Sequence, residues 1–239
     1  MNIIITGASR GLGYYTALQL AKSKEHKIFA LSRDERGLKK LSDESGIDTV
    51  VAIPCDITDE KSILETVKRI TELVSGIEVL INNAGQLINK PFLELSRSDW
   101  QSVYDVNVFG IVNLTRALMP LLMKGTILPE ANIKSHILNI TSMGGVQGSI
   151  KFSGLSAYSS SKAALMGISE CLSEELKSSQ IFVNSIALGS VETEMFVTAF
   201  PGLKAASTPE EISMWLTDFV LKGFRFFNGK IIPVSISTP

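Results

Sequence analysis

Three side chains in the second half of the chain could together move a proton: Ser142, Tyr158 and Lys162. Tyr158 and Lys162 are four residues apart, which puts them on one face of a helix. Ser142 comes sixteen residues before Tyr158, directly after an apolar run at 136–140 that reads as a strand. Hydride delivered to a carbonyl carbon leaves charge on the oxygen, and a neutral tyrosine can donate the proton that quenches it. An ordinary tyrosine pKa of about 10 makes a poor base near neutrality. A lysine ammonium nearby favours tyrosinate and should lower that value. A serine hydroxyl can orient and polarise the same oxygen. Taken singly, each has a plain explanation: a half-buried aromatic, a solvated helix charge, a turn residue. Their joint placement is what points to chemistry.

A hydride donor needs a cradle, and the run Thr6-Gly7-Ala8-Ser9-Arg10-Gly11-Leu12-Gly13 offers one. It follows the β-branched stretch 3–5 and opens a helical segment. Gly7 permits the tight turn, Gly11 lets the backbone approach a diphosphate, and Gly13 lets helix and sheet pack closely. The exposed N–H groups of such a turn favour an anion.

These residues need a frame. Apolar runs at 3–5, 27–31, 49–53, 78–81, 136–140, 181–187 and 230–234 read as strands. Helical spacing appears over 12–23, 35–44, 60–73, 99–123 and 158–178, and from Pro209 with Thr208 as its cap. The strands do not alternate cleanly, which suits a parallel sheet covered on both faces. Repeated βα units predict right-handed crossovers and a doubly wound α/β sheet. The stretch 125–135, with Pro129, reads as a surface excursion. No linker or repeat divides the chain, so 1–239 is expected to form one domain.

Composition narrows the function classes. The 239 residues carry a net charge of −1 with scattered Lys and Arg, which argues against nucleic-acid binding. Cys55 and Cys171 are too few for a disulfide scaffold and read as reduced thiols, so a cytoplasmic location is expected. The amino terminus shows no signal-peptide pattern, no run is long enough to span a membrane, and no metal-ligand set stands out.

The three-residue spacing between Gly7 and Gly11, with Ser142, Tyr158 and Lys162, resembles the short-chain dehydrogenase/reductase family in its compact form. The resemblance implies a Rossmann-type sheet of seven strands in the order 3-2-1-4-5-6-7 with helices on both faces. It adds Asn107, in Asn107-Val108-Phe109-Gly110, as a fourth member of the catalytic group, supporting a water-linked proton relay. It also gives Lys162 a second role on the nicotinamide ribose. An acidic residue at the end of the second strand marks NAD-preferring members; here Ser32 and Arg33 stand there, with Arg10 in the glycine turn. That set suits a 2′-phosphate and implies NADP(H), although Asp34 and Glu35 lie close by. The resemblance places Asp56 and Ile57 beside adenine, but Asp56 could equally cap the helix that starts near Asp59. Asn82-Asn83-Ala84-Gly85 matches the signature after the fourth strand, where small residues let a cofactor pass and asparagines can fix the turn. Gly189, Val191 and Thr193 match the loop that meets nicotinamide and pyrophosphate. The usual proline there is Leu188, and the family's closing glycine pair is absent from the carboxyl terminus.

Met143, Gly144, Gln147, Phe152, Leu155, Met195 and Phe196 are the candidate substrate-lining residues and predict a mostly apolar pocket. The segment 192–207, with Pro201-Gly202, is short for a lid and suggests an open cleft. The expected reaction is reduction of a ketone or aldehyde. A 3-oxoacyl-acyl-carrier-protein reductase is less favoured, because the regions that would meet an acidic carrier hold only Lys124 and Lys177. A non-catalytic NADP-binding regulatory or scaffold protein, and a nucleotide-sugar isomerase or dehydratase, fit less well still. The helices over 98–123 and 158–178 carry broad apolar faces, and the family resemblance implies that these meet another subunit in a homotetramer or homodimer.

Overall fold

A computed structural model describes residues 1–45, 49–128 and 132–236. Seven strands form one sheet: β1 (Asn2–Thr6), β2 (Lys27–Ser32), β3 (Val50–Pro54), β4 (Val79–Asn82), β5 (Ser135–Ser142), β6 (Ile181–Leu188) and β7 (Ile231–Val234). Their order is β3-β2-β1-β4-β5-β6-β7, and every pairing is parallel. The expected Rossmann-type doubly wound sheet is therefore the observed one. The switch in strand order falls between β1 and β4, where a crevice opens beyond the strand ends.

Among the described residues eight α-helices flank the sheet: α1 (Gly11–Ala21), α2 (Glu35–Ser45), α3 (Glu60–Thr71), α4 (Arg97–Tyr104), α5 (Ile111–Leu122), α6 (Ser156–Glu175), α7 (Glu194–Ala199) and α8 (Pro209–Leu221). Strand side chains feed both sides, so the apolar runs are nearly continuous. Ile3 and Ile5 enter the core under α1 and α8 with Leu20, Leu216 and Val220. Ile4 points the other way, into the core under α3, α5 and α6 with Ile63, Leu114 and Leu165.

Three segments differ from the sequence expectation. The long helix expected over 99–123 starts earlier, at Arg97, because Ser96 and Asp99 form a capping box. It is also interrupted by a π-helical turn at Asp105–Gly110. Helix α7 was not expected at all. In the expected surface excursion, Leu128 and Ile133 are buried and form an antiparallel bridge, while residues 129–131, with Pro129, lie outside the described residues. The atypical terminal residues Ser237, Thr238 and Pro239 also lie outside them. Thr208 and Glu211 form the capping box that starts α8. Among the described residues no helix is long and apolar enough to cross a membrane. Both cysteines are free, Cys55 buried and Cys171 exposed.

Candidate active site

The glycine turn is built by β1, α1 and the end of β4. Gly7 and Gly11 have φ of +65° and +56°, values that side chains with a Cβ rarely adopt. Thr6 Oγ1 accepts from the backbone N–H groups of Asn83 and Ala84, each at 2.9 Å. Asn83 Nδ2 donates to the carbonyls of Thr6 (3.0 Å) and Gly7 (3.2 Å). Asn83 thus fixes the turn as expected of that pair. Asn82 does not: strand alternation sends it into the core, where Nδ2 donates to Asn139 Oδ1 at 2.8 Å. A Cβ on Gly13 would lie 2.5 Å from Gly7 O and from Asn83 Nδ2, so its role is close packing and it lies outside the cavity lining.

Helix α1 begins without a side-chain cap, which leaves its first N–H groups open to an anion. This is the feature by which the site fits a dinucleotide diphosphate. At the end of β2, Ser32 Oγ donates to Ser9 Oγ at 2.9 Å. Arg33 lies 3.8 Å from Asp56, and Arg10 pairs with Glu194 at 2.8 Å. Asp34 Oδ1 accepts from the N–H groups of Arg36 and Gly37, so the acid nearest the β2 end is engaged in starting α2. Asp59, not Asp56, caps α3, through Lys61 N and Ser62 N. Asp56 instead accepts from Thr58 N and Oγ1. Burial raises its carboxyl pKa, but those bonds and Arg33 outweigh it and leave the net value low.

Ser142 is the last residue of β5 rather than one beyond it. Tyr158 and Lys162 share the first turns of α6, and the Lys162 Nζ lies 5.8 Å from the Tyr158 ring centre. The ammonium donates to Ile140 O at 2.9 Å. The expectation that Lys162 lowers the Tyr158 pKa is corrected here. Burial pushes the phenol up to about 12, opposed only by its hydrogen bond with Ser142. Burial likewise pushes the Lys162 ammonium down to about 8. Desolvation dominates because the cation is turned onto a backbone carbonyl instead of the phenolic oxygen.

Asn107 is fully buried in the π-helical turn and does not line the cavity. Its Oδ1 accepts from Gln86 N at 2.7 Å, and its Nδ2 donates to Gln86 O and Ser161 Oγ, both at 2.9 Å. The side chain therefore holds the loop after β4 against α6. Gly85 sits between Asn107 and Lys162: a Cβ there would lie 3.5 Å from Asn107 Oδ1 and 3.4 Å from Lys162 Nζ.

One cavity of about 880 Å³ joins these parts, within the range of small-molecule sites. Its lining includes Gly7, Ser9, Arg10, Gly11, Leu12, Ser32, Arg33, Asp56, Ile57, Asn83, Ala84, Gly85, Gly189, Val191 and Thr193 toward the glycine turn. Ser142, Met143, Gly144, Phe152, Leu155, Tyr158, Lys162, Met195 and Phe196 line it as well. Gln147 does not; it is exposed on the turn after β5. Gly189 is needed for close approach rather than flexibility, since a Cβ would sit 2.4 Å from Ser235 Oγ. The excursion 192–207 is closed at its neck by a parallel bridge between Val191 and Ser207. Thr193 caps α7 by accepting from Phe196 N. Sequence reasoning missed Glu194, Phe200, Leu203 and Lys204 in this lining. The Thr193 cap and the Phe196–Phe200 spacing were the available signal for α7. Gly37 was missed too; a Cβ there would lie 2.5 Å from Ser9 O.

A nucleotide-type turn and a proton-donating group that share one cavity of a doubly wound sheet define a dinucleotide-dependent oxidoreductase. The chain belongs to the short chain dehydrogenase family, whose profile matches residues 1–203. Similar proteins include the ketoacyl reductase HetN of Nostoc sp., 32% identical over 217 residues, covering 88% of this chain and 72% of that protein. An uncharacterized oxidoreductase of Staphylococcus aureus is 27% identical over 210 residues, covering 88% and 86% of the two chains. Among solved structures, a short chain dehydrogenase of Shigella flexneri complexed with NADP has a TM-score of 0.86 and 26% identity, covering 97% of this chain and 95% of that one. The NADP active-site complex of Pseudomonas aeruginosa RhlG has a TM-score of 0.85 and 25% identity, covering 98% and 94%.

Proposed function

We propose that this protein is an NADP(H)-dependent reductase that converts a ketone or aldehyde to an alcohol, with Tyr158 as the proton donor. The single observation that carries the reading is the continuous cavity lined by both the glycine turn and Ser142, Tyr158 and Lys162. The NADP carried by the Shigella and Pseudomonas structures supports the cofactor choice. So do Ser32, Arg33 and Arg10, which suit a 2′-phosphate, and the engagement of Asp34 as a helix cap.

When bound along this cavity, NADPH would supply the hydride. The remaining work falls to side chains of this chain. Tyr158, with its pKa at about 12, is protonated at neutral pH and gives its proton to the carbonyl oxygen as charge develops there. Ser142 bonds the phenol and is placed to donate to the same oxygen. Lys162 stays cationic below about pH 8, where it would hold the ribose hydroxyls of the bound cofactor. Asn107 fixes Gln86 and the π-helical turn, and supports the water-linked route that reloads Tyr158. A phenol held so firmly in its neutral form suits reduction better than alcohol oxidation.

A 3-oxoacyl thioester is the second substrate reading, supported by the name of the Nostoc relative. Basic docking residues for an acidic carrier are sparse, and Lys177 already lies 3.7 Å from Glu174. Exposed Phe92, Leu93, Phe109 and Met123 on and beside α4 and α5 support a homodimer or homotetramer, which sedimentation at several concentrations tests. The deciding experiment is NADPH oxidation across ketones, aldehydes, quinones and 3-oxoacyl thioesters. Turnover of at least one class is expected, with NADPH well ahead of NADH. NADPH binding without any turnover would favour the regulatory or scaffold reading instead.

A further inference from the structure

We propose that the carbonyl substrate has an apolar body bearing an anionic group, and that Lys204 receives this anion at the cavity mouth. The inference rests on the reductase reading above and deepens it to a substrate class.

The substrate end of the cavity is an aromatic wall. Phe200 packs against Phe196 with ring centres 5.2 Å apart and against Phe152 at 6.1 Å, so α7 and the segment after β5 share one apolar surface. Met195 and Leu203 continue it. Much of that surface faces water: Phe152 is 47% exposed and Leu203 62%. A small neutral aldehyde would leave most of the wall wet, whereas an extended apolar body would cover it.

Charge then selects among apolar bodies. Six of the seven charged residues that line the cavity already have partners. Arg10 pairs with Glu194, Arg33 with Asp56, Lys162 donates to Ile140 O, and Asp34 accepts backbone N–H groups. Among the described residues Lys204 is the one lining charge with no hydrogen bond or ion pair. It directly follows Leu203 at the exposed end of the apolar wall. A cation on a flexible stem beside an apolar surface is suited to the charged end of a ligand whose body lies on that surface.

The test uses a series of oxo-phenylalkanoates, with two to five methylenes between ketone and carboxylate, and their methyl esters, all with saturating NADPH. At low salt the best acid should show a KM about three- to fivefold below its ester, as fits one solvent-exposed ion pair. That ratio should fall toward one in about 0.5 M salt and in Lys204→Gln, and return in Lys204→Arg. Equal KM values for acid and ester in the wild type overturn the inference, as does an acid advantage that survives Lys204→Gln. Reduction of other carbonyls but of none of these probes also overturns it and leaves the reductase reading intact. NADPH binding, seen by fluorescence, without oxidation by any carbonyl overturns that reading and this inference together.

Discussion

Arg10 and Glu194 form a 2.8 Å ion pair that joins the glycine turn to the first turn of α7. One partner belongs to the cofactor end of the cavity and the other to the substrate helix. A 2′-phosphate at the turn would compete with Glu194 for the same guanidinium.

Glu194→Gln should therefore lower the KM for NADPH about two- to fivefold at low ionic strength, the scale of an exposed pair. The KM for NADH, which lacks the phosphate, should not move. Steady-state kinetics with both cofactors checks this, and equal shifts for the two would sink the competition.

Tyr158→Phe should cut turnover by about 10²- to 10⁴-fold, because it removes the general acid and leaves the ring. NADPH affinity, measured by fluorescence titration, should stay within about twofold, since Tyr158 is one of many residues lining the cofactor cavity and phenylalanine keeps its ring. Near-wild-type turnover in this variant would defeat the assigned mechanism.

The pH profile of carbonyl reduction should be set by Lys162. Tyr158 remains protonated until about pH 12 and so imposes no limb near neutrality. Lys162 loses its charge as pH rises through about 8, so kcat/KM should fall above that value. Lys162→Met should be slower throughout and lack this limb.

His136 predicts an acid limb of stability. Its ring is buried on β5 with Asn184 Nδ2 3.1 Å from Nε2 and Phe224 stacked at 5.2 Å, and burial pushes its pKa down to about 3. The unfolded chain binds a proton near the ordinary value of about 6.5. Stability should therefore be full above that pH and decline as pH drops from there toward about 3. Thermal melts of the wild type should show the decline, and His136→Leu should flatten it.

Asn107→Ala should orphan both backbone groups of Gln86, since the asparagine is their partner on both sides. A loss of roughly 2–4 kcal/mol in unfolding free energy is expected, alongside reduced turnover. Urea denaturation measures the first. Unaltered stability would mean that the loop after β4 does not depend on this side chain.

Parts of this molecule governed by local backbone demands were legible in the sequence. The glycine turn needs positive φ at Gly7 and Gly11, and that need is written in residue types. The strands are apolar on both faces, and their order followed from the family pattern. Tertiary effects were less legible. The shift at Tyr158 depends on desolvation in the folded chain, which its residue type does not carry. Asn82 and Asn83 look alike in sequence, yet strand alternation sends one into the core and the other onto the turn. Gln147 has the polarity of a substrate contact but sits on the outer side of its turn. Helix α7 is only six residues long and adjoins Pro201-Gly202, so turn signals masked its cap.

In the core, Asn82 donates to Asn139 and Asn139 to Ser169, while Ser185 donates to the same Ser169 hydroxyl, so the bonds link β4, β5, α6 and β6. Each link leans on its neighbour, so an apolar replacement at one position strands the group beside it. Redesign of this region for heat tolerance must change these residues as a set. A scan of single substitutions would score every step as harmful and miss any sequence in which all four are replaced at once.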